Sequence, residues 1–104
     1  MPTQTPLKIL LVDDEPLARE RLRTLLGDIA GQCPGEIVGE AANGLQALEQ
    51  LDKQAVDVVF CDIRMPGMDG IELASHLGRL ANPPAVIFTT AYDNYAVQAF
   101  DLNA

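Results

Sequence analysis

Cysteine and histidine are scarce in this sequence, which has two cysteines and one histidine among its 104 residues. Cys33 falls in a loop beside proline and glycine, and Cys61 ends an apolar run, so the two predict no disulfide framework. They also lack the spacing of a metal-binding pair, and a lone His76 makes a poor metal site. We therefore expect two structurally inert thiols and a surface histidine.

Basic residues are also scarce, because 7 Lys or Arg stand against 15 Asp or Glu and give a formal net charge of −8. Such an acidic chain is not expected to bind nucleic acid or an anionic membrane by itself. No apolar stretch approaches the roughly 18 residues needed to span a bilayer. The start, MPTQTPLK, lacks the basic leader and apolar core of a signal peptide. These absences predict a cytoplasmic protein with no membrane partner.

The length suffices for one small domain, and apolar runs alternate in it with amphipathic stretches. Residues 1–7 form a polar, proline-bearing lead that we expect to be disordered, and residues 8–104 form the domain. The predicted strands are 8–12, 36–41, 57–61 and 85–89. A helix is predicted after each strand, the last at 93–102. This βαβαβαβα order predicts a doubly wound α/β fold, with a parallel sheet and helices on both faces.

The first three helices have predicted starts and predicted faces. The first begins at Pro16, and Asn43 and Asp69 are the expected N-caps of the second and third. Apolar residues at helical spacing predict the faces that pack on the sheet. The residues of these inner faces are Ala18, Leu22, Leu25, Leu26 and Ile29, then Leu45, Leu48 and Leu51, then Ile71, Ala74, Leu77 and Ala81. The residues predicted to face outward from the first helix are Arg19, Glu20, Arg21 and Arg23.

Acidic side chains follow two of the predicted strands at the point where each strand ends. Asp13 and Asp14 come directly after the first strand, and Asp62 comes after the third. Ligands of open parallel sheets bind outside these strand ends, so we expect the carboxylates to face each other across a shallow cleft. Two carboxylates about 4 Å apart repel by about 4 kcal/mol at an effective dielectric of about 20, and a bound Mg2+ relieves such repulsion. The alternative is that these acids are solvated loop residues or helix caps.

The segment that begins at Asp62, DIRMPGMDG, is the most specific motif in the sequence. Together with LLVDDEP upstream and IFTTAY downstream, it resembles the receiver domain of bacterial two-component response regulators over residues 8–104. DEPLARERLRTLL and TTAYDNYAVQAFDLNA further resemble the receivers of the LytTR class (AlgR/LytR type), which precede a DNA-binding domain. The resemblance implies a flavodoxin-like fold with strand order 2-1-3-4 and a role in phosphorelay signalling that regulates transcription.

The resemblance also implies roles for individual residues. Asp62 matches the phosphoacceptor, whose carboxylate attacks the phosphorus of a phosphohistidine on a sensor histidine kinase. The implied Mg2+ ligands are Asp13, Asp14, Asp62 and the backbone carbonyl of Arg64. Such a domain is a phosphoryl acceptor and not a turnover enzyme.

Further positions match residues that respond to the phosphoryl group or shield it. Thr90 matches the hydroxyl that binds a phosphoryl oxygen and shifts when the site is occupied, and Ala91 is the small residue beside it. Arg64 and Tyr92 match the positions that modulate the access of water. Because both side chains are bulky, we expect slow self-hydrolysis of the phosphorylated chain.

The sequence departs from complete receivers after the fourth predicted strand. Complete receivers have five strands and five helices, and their fifth strand ends in a lysine that pairs with the acceptor. The lysines here are Lys8 and Lys53, which lie elsewhere. We therefore expect a truncated domain, with DNA contacted only through an absent C-terminal domain. Its Mg2+ ligands are all present, and the alternative is an interaction-only fragment that accepts no phosphate because the lysine is missing.

An open fourth strand predicts a further partner. Val86, Ile87 and Phe88 would line its edge, so we expect self-association through this edge or through the fourth helix.

Two other protein classes are alternatives, of which the flavin-binding, flavodoxin-like class shares the strand order. A haloacid dehalogenase-type phosphatase needs an Asp-x-Asp pair after the first strand, whereas Asp13 and Asp14 are adjacent. A flavin-binding protein needs a Ser/Thr/Gly-rich phosphate loop there, and DDEP would repel a phosphate.

Overall fold

A computed structural model describes residues 6–29, 31 and 34–89 of the chain. Strands and helices alternate along these residues in the predicted order, with ends that differ only slightly from the predicted ones. The strands are β1 (Leu7–Val12), β2 (Gly35–Ala41), β3 (Val58–Cys61) and β4 (Ala85–Phe88). The helices are α1 (Pro16–Asp28), α2 (Gly44–Lys53) and α3 (Gly70–Leu77). The predicted helix at 93–102 lies outside the described residues.

The four described strands form one parallel sheet in the order β2-β1-β3-β4, which confirms the predicted α/β fold class. β1 lies between β2 and β3, and its residues Ile9, Leu10, Leu11 and Val12 are all buried. An unbroken apolar run suits this central strand because both of its faces are covered. β2, which mixes polar and apolar residues, lies at the border of the sheet.

A bulge in β2 sets which of its residues lie beside the end of β1. Ile9 pairs with Ile37, but Leu10 pairs with Gly39, so Val38 has no partner in the register. The Gln54 side chain donates to the Val38 carbonyl at 3.1 Å and so satisfies an acceptor near the bulge. Beyond the bulge, the last residues of the two strands are paired again.

Both predicted side-chain caps are confirmed. Asn43 Oδ1 accepts from the N–H of Gln46 at 2.9 Å and begins α2. Asp69 Oδ1 accepts from the N–H of Glu72 at 2.8 Å and begins α3. Each such cap is worth about 1 kcal/mol. None of the described helices is long and apolar enough to cross a bilayer.

The predicted helix faces are partly wrong. Leu45 is 67% exposed because α2 packs through Gly44, Ala47 and Leu48. Consecutive residues of a helix point about 100° apart, so Leu45, which follows Gly44, points away from the packed face. In α3 the buried residues include Leu73, which the predicted face omitted. Corrections of the same kind apply to the exposed residues Leu25, Ile29 and Ala81. Periodicity identifies an apolar stripe, whereas burial also depends on what the neighbouring elements cover.

Candidate functional site

The parallel pairing of β1 with β3 brings the predicted acids together. Val12 pairs with Cys61, so the chain leaves both strands at the same level, and the N–H of Asp62 donates to the Val12 carbonyl at 3.0 Å. Asp13, Asp14 and Asp62 each offer a carboxylate oxygen, and these oxygens all lie within 4.8 Å of one another. Two loops far apart in the sequence therefore place three carboxylates around one point.

The three carboxylates differ in burial. Asp13 is 4% exposed and Asp62 is 9% exposed, whereas Asp14 is exposed. Burial raises the pKa of Asp13, and the negative charges of Asp62 and Asp14 raise it further, while a hydrogen bond from the Glu15 N–H opposes them. Two charges 4.8 Å apart repel by about 3 kcal/mol at an effective dielectric of about 20, before screening by water around Asp14. The cluster is therefore strained when all three groups are ionised.

The raised pKa of Asp13 predicts how stability depends on pH in the absence of Mg2+. The folded chain holds the Asp13 proton more tightly than the unfolded chain, so the unfolding free energy falls as pH rises from 3.8 through the raised pKa. Asp13→Asn should remove this contribution to the slope of unfolding free energy against pH, while keeping a side-chain oxygen that accepts from the Glu15 N–H. Urea unfolding in a metal chelator over this range measures both proteins. Equal slopes would contradict the assignment to Asp13.

Backbone N–H groups hold the two buried carboxylates. The N–H of Glu15 donates to Asp13 Oδ1 at 2.9 Å, and the N–H of Arg64 donates to Asp62 Oδ1 at 3.3 Å. Each of these carboxylates has a second oxygen, and carboxylate oxygens are the donors that Mg2+ prefers. Among the described residues, the cluster that converges here consists of the carboxylates of Asp13, Asp14 and Asp62. The described part of the chain therefore fits a hard divalent cation.

Cys61 lies beside the cluster but does not suit a metal ligand. It is fully buried, and its Sγ lies 3.3 Å from the Asp62 carbonyl oxygen. Burial, followed by the negative charges of Asp62 and Asp13, raises the pKa of this thiol to about 12. A metal binds the thiolate, which this environment disfavours. The geometry agrees with the expectation of an inert thiol.

Gly70 supports the loop that carries Asp62. A Cβ on Gly70 would come 2.4 Å from the Asp62 carbonyl oxygen and 2.8 Å from Ile63 Cα. The N–H of Gly70 also donates to the Ile63 carbonyl at 2.8 Å. The first turn of α3 is therefore packed directly onto the backbone of the loop that carries Asp62, at a distance that only glycine permits.

Gly70→Ala is expected to lower the unfolding free energy by about 1–3 kcal/mol, because the contact is with backbone that must shift. Gly27→Ala is the matched control, since no atom lies within 4 Å of the added Cβ. Gly27 lies in the last turn of α1, so its replacement by alanine should raise stability slightly, by at most about 0.5 kcal/mol. Urea denaturation measures both. A Gly70 variant as stable as the unaltered chain would show that the loop adjusts without cost.

The remaining predicted site residues are not all within the described part of the chain. Arg64 is described and exposed. Thr90, Ala91 and Tyr92 lie outside the described residues. The strand that leads to them is in place, because the N–H of Thr89 donates to the Cys61 carbonyl at 2.9 Å.

Arg19 is a site residue that the sequence pattern missed, and the prediction that it faces outward is wrong. Its side chain is 17% exposed, and its Nε lies 2.8 Å from Glu40 Oε1. Its guanidinium also donates to the carbonyl oxygen of Asp13. Arg23 binds the other Glu40 oxygen, and this hydrogen bond, followed by that from Arg19, lowers the pKa of Glu40 against the opposing effect of burial.

Comparisons with known proteins agree with this geometry. A family model described as the response regulator receiver domain matches residues 9–104. The positive alginate biosynthesis regulatory protein of Pseudomonas aeruginosa is 48% identical over 98 residues, and the transcriptional regulatory protein LytR of Staphylococcus aureus is 46% identical over 98 residues. Each match covers 94% of this chain but only 39% of the relative's length. The response regulatory domain of mrkE from Klebsiella pneumoniae superposes with a TM-score of 0.81 at 38% identity, covering 93% of this chain and 77% of that one.

Proposed function

We propose that this chain, which belongs to the response regulator receiver domain family, accepts a phosphoryl group on Asp62 from a sensor histidine kinase. The observation that carries the proposal is the convergence of Asp62 with Asp13 and Asp14, whose oxygens lie within 4.8 Å of one another at the strand ends. A nucleophilic carboxylate beside a cation site is what phosphoryl transfer to aspartate requires.

The residues of the cluster have different roles in phosphoryl transfer. An Asp62 oxygen forms a bond to phosphorus as the bond from phosphorus to the donor's imidazole nitrogen breaks, and that nitrogen keeps the electron pair. Phosphoryl transfer depends mainly on positioning and charge stabilisation, so the Arg64 N–H on Asp62 Oδ1 helps by limiting rotation of the carboxylate. Mg2+ bound at Asp13, Asp14, Asp62 and the Arg64 carbonyl would supply neutralisation of the phosphoryl oxygens.

Further parts of the proposal concern the residues around the acceptor. The Thr90 hydroxyl binds a phosphoryl oxygen and shifts when the site is occupied, and the small Ala91 beside it keeps the cleft open. Arg64 and Tyr92 limit the access of water, so the phosphorylated chain hydrolyses slowly. The acyl phosphate brings nearly two negative charges, enough to shift the balance between two conformations of a loop.

Acetyl phosphate with Mg2+ provides the direct test, because it donates a phosphoryl group without a kinase. The intact chain should gain the mass of one phosphoryl group, and the gain should require Mg2+. An intact chain that binds Mg2+ yet gains no mass would favour the alternative, an interaction-only receiver fragment. Beryllofluoride with Mg2+ offers a second measurement, read from the chemical shift of the Thr90 amide.

The chain spans about two fifths of the length of the curated relatives, whose names describe regulators of alginate synthesis and of transcription. We therefore propose that it serves a cytoplasmic regulator of transcription, in which a separate C-terminal domain binds DNA. In this role it takes up one phosphoryl group per cycle and is not a turnover enzyme.

Self-association through β4 or the fourth helix stays a prediction, which light scattering at high micromolar concentration tests.

A further inference from the structure

We infer that Arg19, held by Glu40, is a positioning residue that fixes the Asp13–Asp14 loop for binding of Mg2+. The inference rests on the proposed function, since it takes the acid cluster as the cation site. It concerns a residue outside that cluster. Arg19 contributes no oxygen and contacts no phosphoryl group; it acts through the backbone of Asp13.

Hydrogen bonds to two different elements hold the backbone of Asp13, one at its N–H and one at its carbonyl. Its N–H donates to the carbonyl of Ala41 at 3.0 Å, at the end of β2. Its carbonyl accepts from the guanidinium of Arg19, which lies in the first turn of α1. The loop that carries two of the three carboxylates is therefore tied to β2 and to α1 at one residue.

Glu40 fixes the guanidinium that holds this carbonyl. Arg19 Nε lies 2.8 Å from Glu40 Oε1, and Arg23 binds Glu40 Oε2. Glu40 precedes Ala41, so the bulge at Val38 sets the register that places both of them beside the Asp13 loop. The planar fork of arginine reaches the carboxylate and the carbonyl together, which a lysine ammonium on its flexible stem does not reproduce.

The Arg19 guanidinium has two opposite effects on Mg2+ binding, one through its charge and one through the position of the loop that it holds. As a nearby positive charge, Arg19 repels Mg2+, so removing it should tighten binding if charge alone mattered. As a support for the loop, it keeps the Asp13 and Asp14 carboxylates in place, so removing it should weaken binding. Loss of groups that orient metal ligands commonly costs about 10–100-fold in affinity. Positioning is expected to outweigh the charge.

Arg21 provides the matched control. It lies in the same helix, lines a cleft that also includes Asp13 and Thr89, and is exposed. Within residues 6–29 and 34–89 it forms no ion pair with Glu40 or with the acidic loop. Arg21→Met removes the same charge near the site without removing a hydrogen bond that the structure describes to the loop, so it reports the effect of charge.

Isothermal titration of Mg2+ into the 104-residue chain and its variants tests the inference. Arg19→Met should weaken binding about tenfold relative to the unaltered chain, whereas Arg21→Met should leave it equal or slightly tighter. Arg19→Lys keeps the charge but loses the fork and should also weaken binding. Glu40→Gln, which loosens Arg19 without touching the loop, should weaken it to a smaller extent, and its effect should not add to that of Arg19→Met.

Hydrogen exchange of the Glu15 amide supplies a readout besides affinity, because this N–H is bound to Asp13 Oδ1. It should exchange faster in Arg19→Met than in Arg21→Met. An Arg19→Met chain that binds Mg2+ as tightly as Arg21→Met would overturn the inference and leave the proposed function standing. Failure of the unaltered chain to bind Mg2+ would overturn the cation site itself, and the inference with it.

Discussion

Asp62→Asn is expected to leave the chain without any gain of mass after incubation with acetyl phosphate and Mg2+. The substitution keeps the size of the side chain and an oxygen for the Arg64 N–H, but it removes the anionic nucleophile. Loss of a nucleophile commonly lowers such a rate by at least about 10³-fold. Mass spectrometry of the intact chain measures the result, and it should show the unaltered chain phosphorylated and the variant unchanged.

Asp52→Asn is the control for this experiment. Asp52 is exposed on α2, and its replacement makes the same change in charge and size away from the acid cluster. Its phosphorylation should match that of the unaltered chain. A phosphoryl group taken up by Asp62→Asn would place the acceptor elsewhere and contradict the proposed role.

Asp13→Asn is expected to change stability in opposite directions without and with Mg2+. Without the ion, removing a buried charge from beside Asp62 should raise the unfolding free energy by about 1–2 kcal/mol, allowing for screening. The unaltered chain should gain about 2.7 kcal/mol from Mg2+ at 100 times its dissociation constant. The variant has lost a ligand and should gain much less at the same concentration, so the order of stability reverses.

Urea denaturation with and without Mg2+ measures this reversal, and Asp52→Asn again controls for net charge. The control should follow the unaltered chain in both conditions. A variant that loses stability without Mg2+ would show that Asp13 is not under electrostatic strain. A variant that gains as much from Mg2+ as the unaltered chain would remove Asp13 from the cation site.

Local pattern was enough to predict the strands and the strand ends from which the acids emerge. The apolar runs that precede Asp13 and Asp62 identify buried parallel strands, and parallel strands end at one edge of the sheet. The caps Asn43 and Asp69 were equally predictable, because a cap is a contact between residues three positions apart. Each of these features depends on residues that are close together in the sequence, or on a direction that all strands share.

Contacts between distant residues were not predictable in this way. Arg19 looks like any exposed arginine of an amphipathic helix, and its role depends on Glu40, 21 residues away. Gly70 belongs to the recognised motif, yet only the packing of α3 on the Asp62 loop shows why a side chain is excluded there. Leu45 of α2 was expected inside and is exposed, and Leu73 of α3 was left out of the predicted face and is buried, because burial depends on what the neighbouring elements cover.

The sequence by itself determined the α/β class, the order of the elements and the identity of the three converging acids. The apolar runs of the strands, the spacing of the helices and the chemistry of adjacent residues carry that information, since all are local. Only the tertiary structure decided the bulge at Val38, the inward turn of Arg19 and the close approach of Gly70 to the loop that carries Asp62. These features arise from distances between elements, which depend on how the whole sheet and its helices pack together, and no short stretch of the chain specifies them.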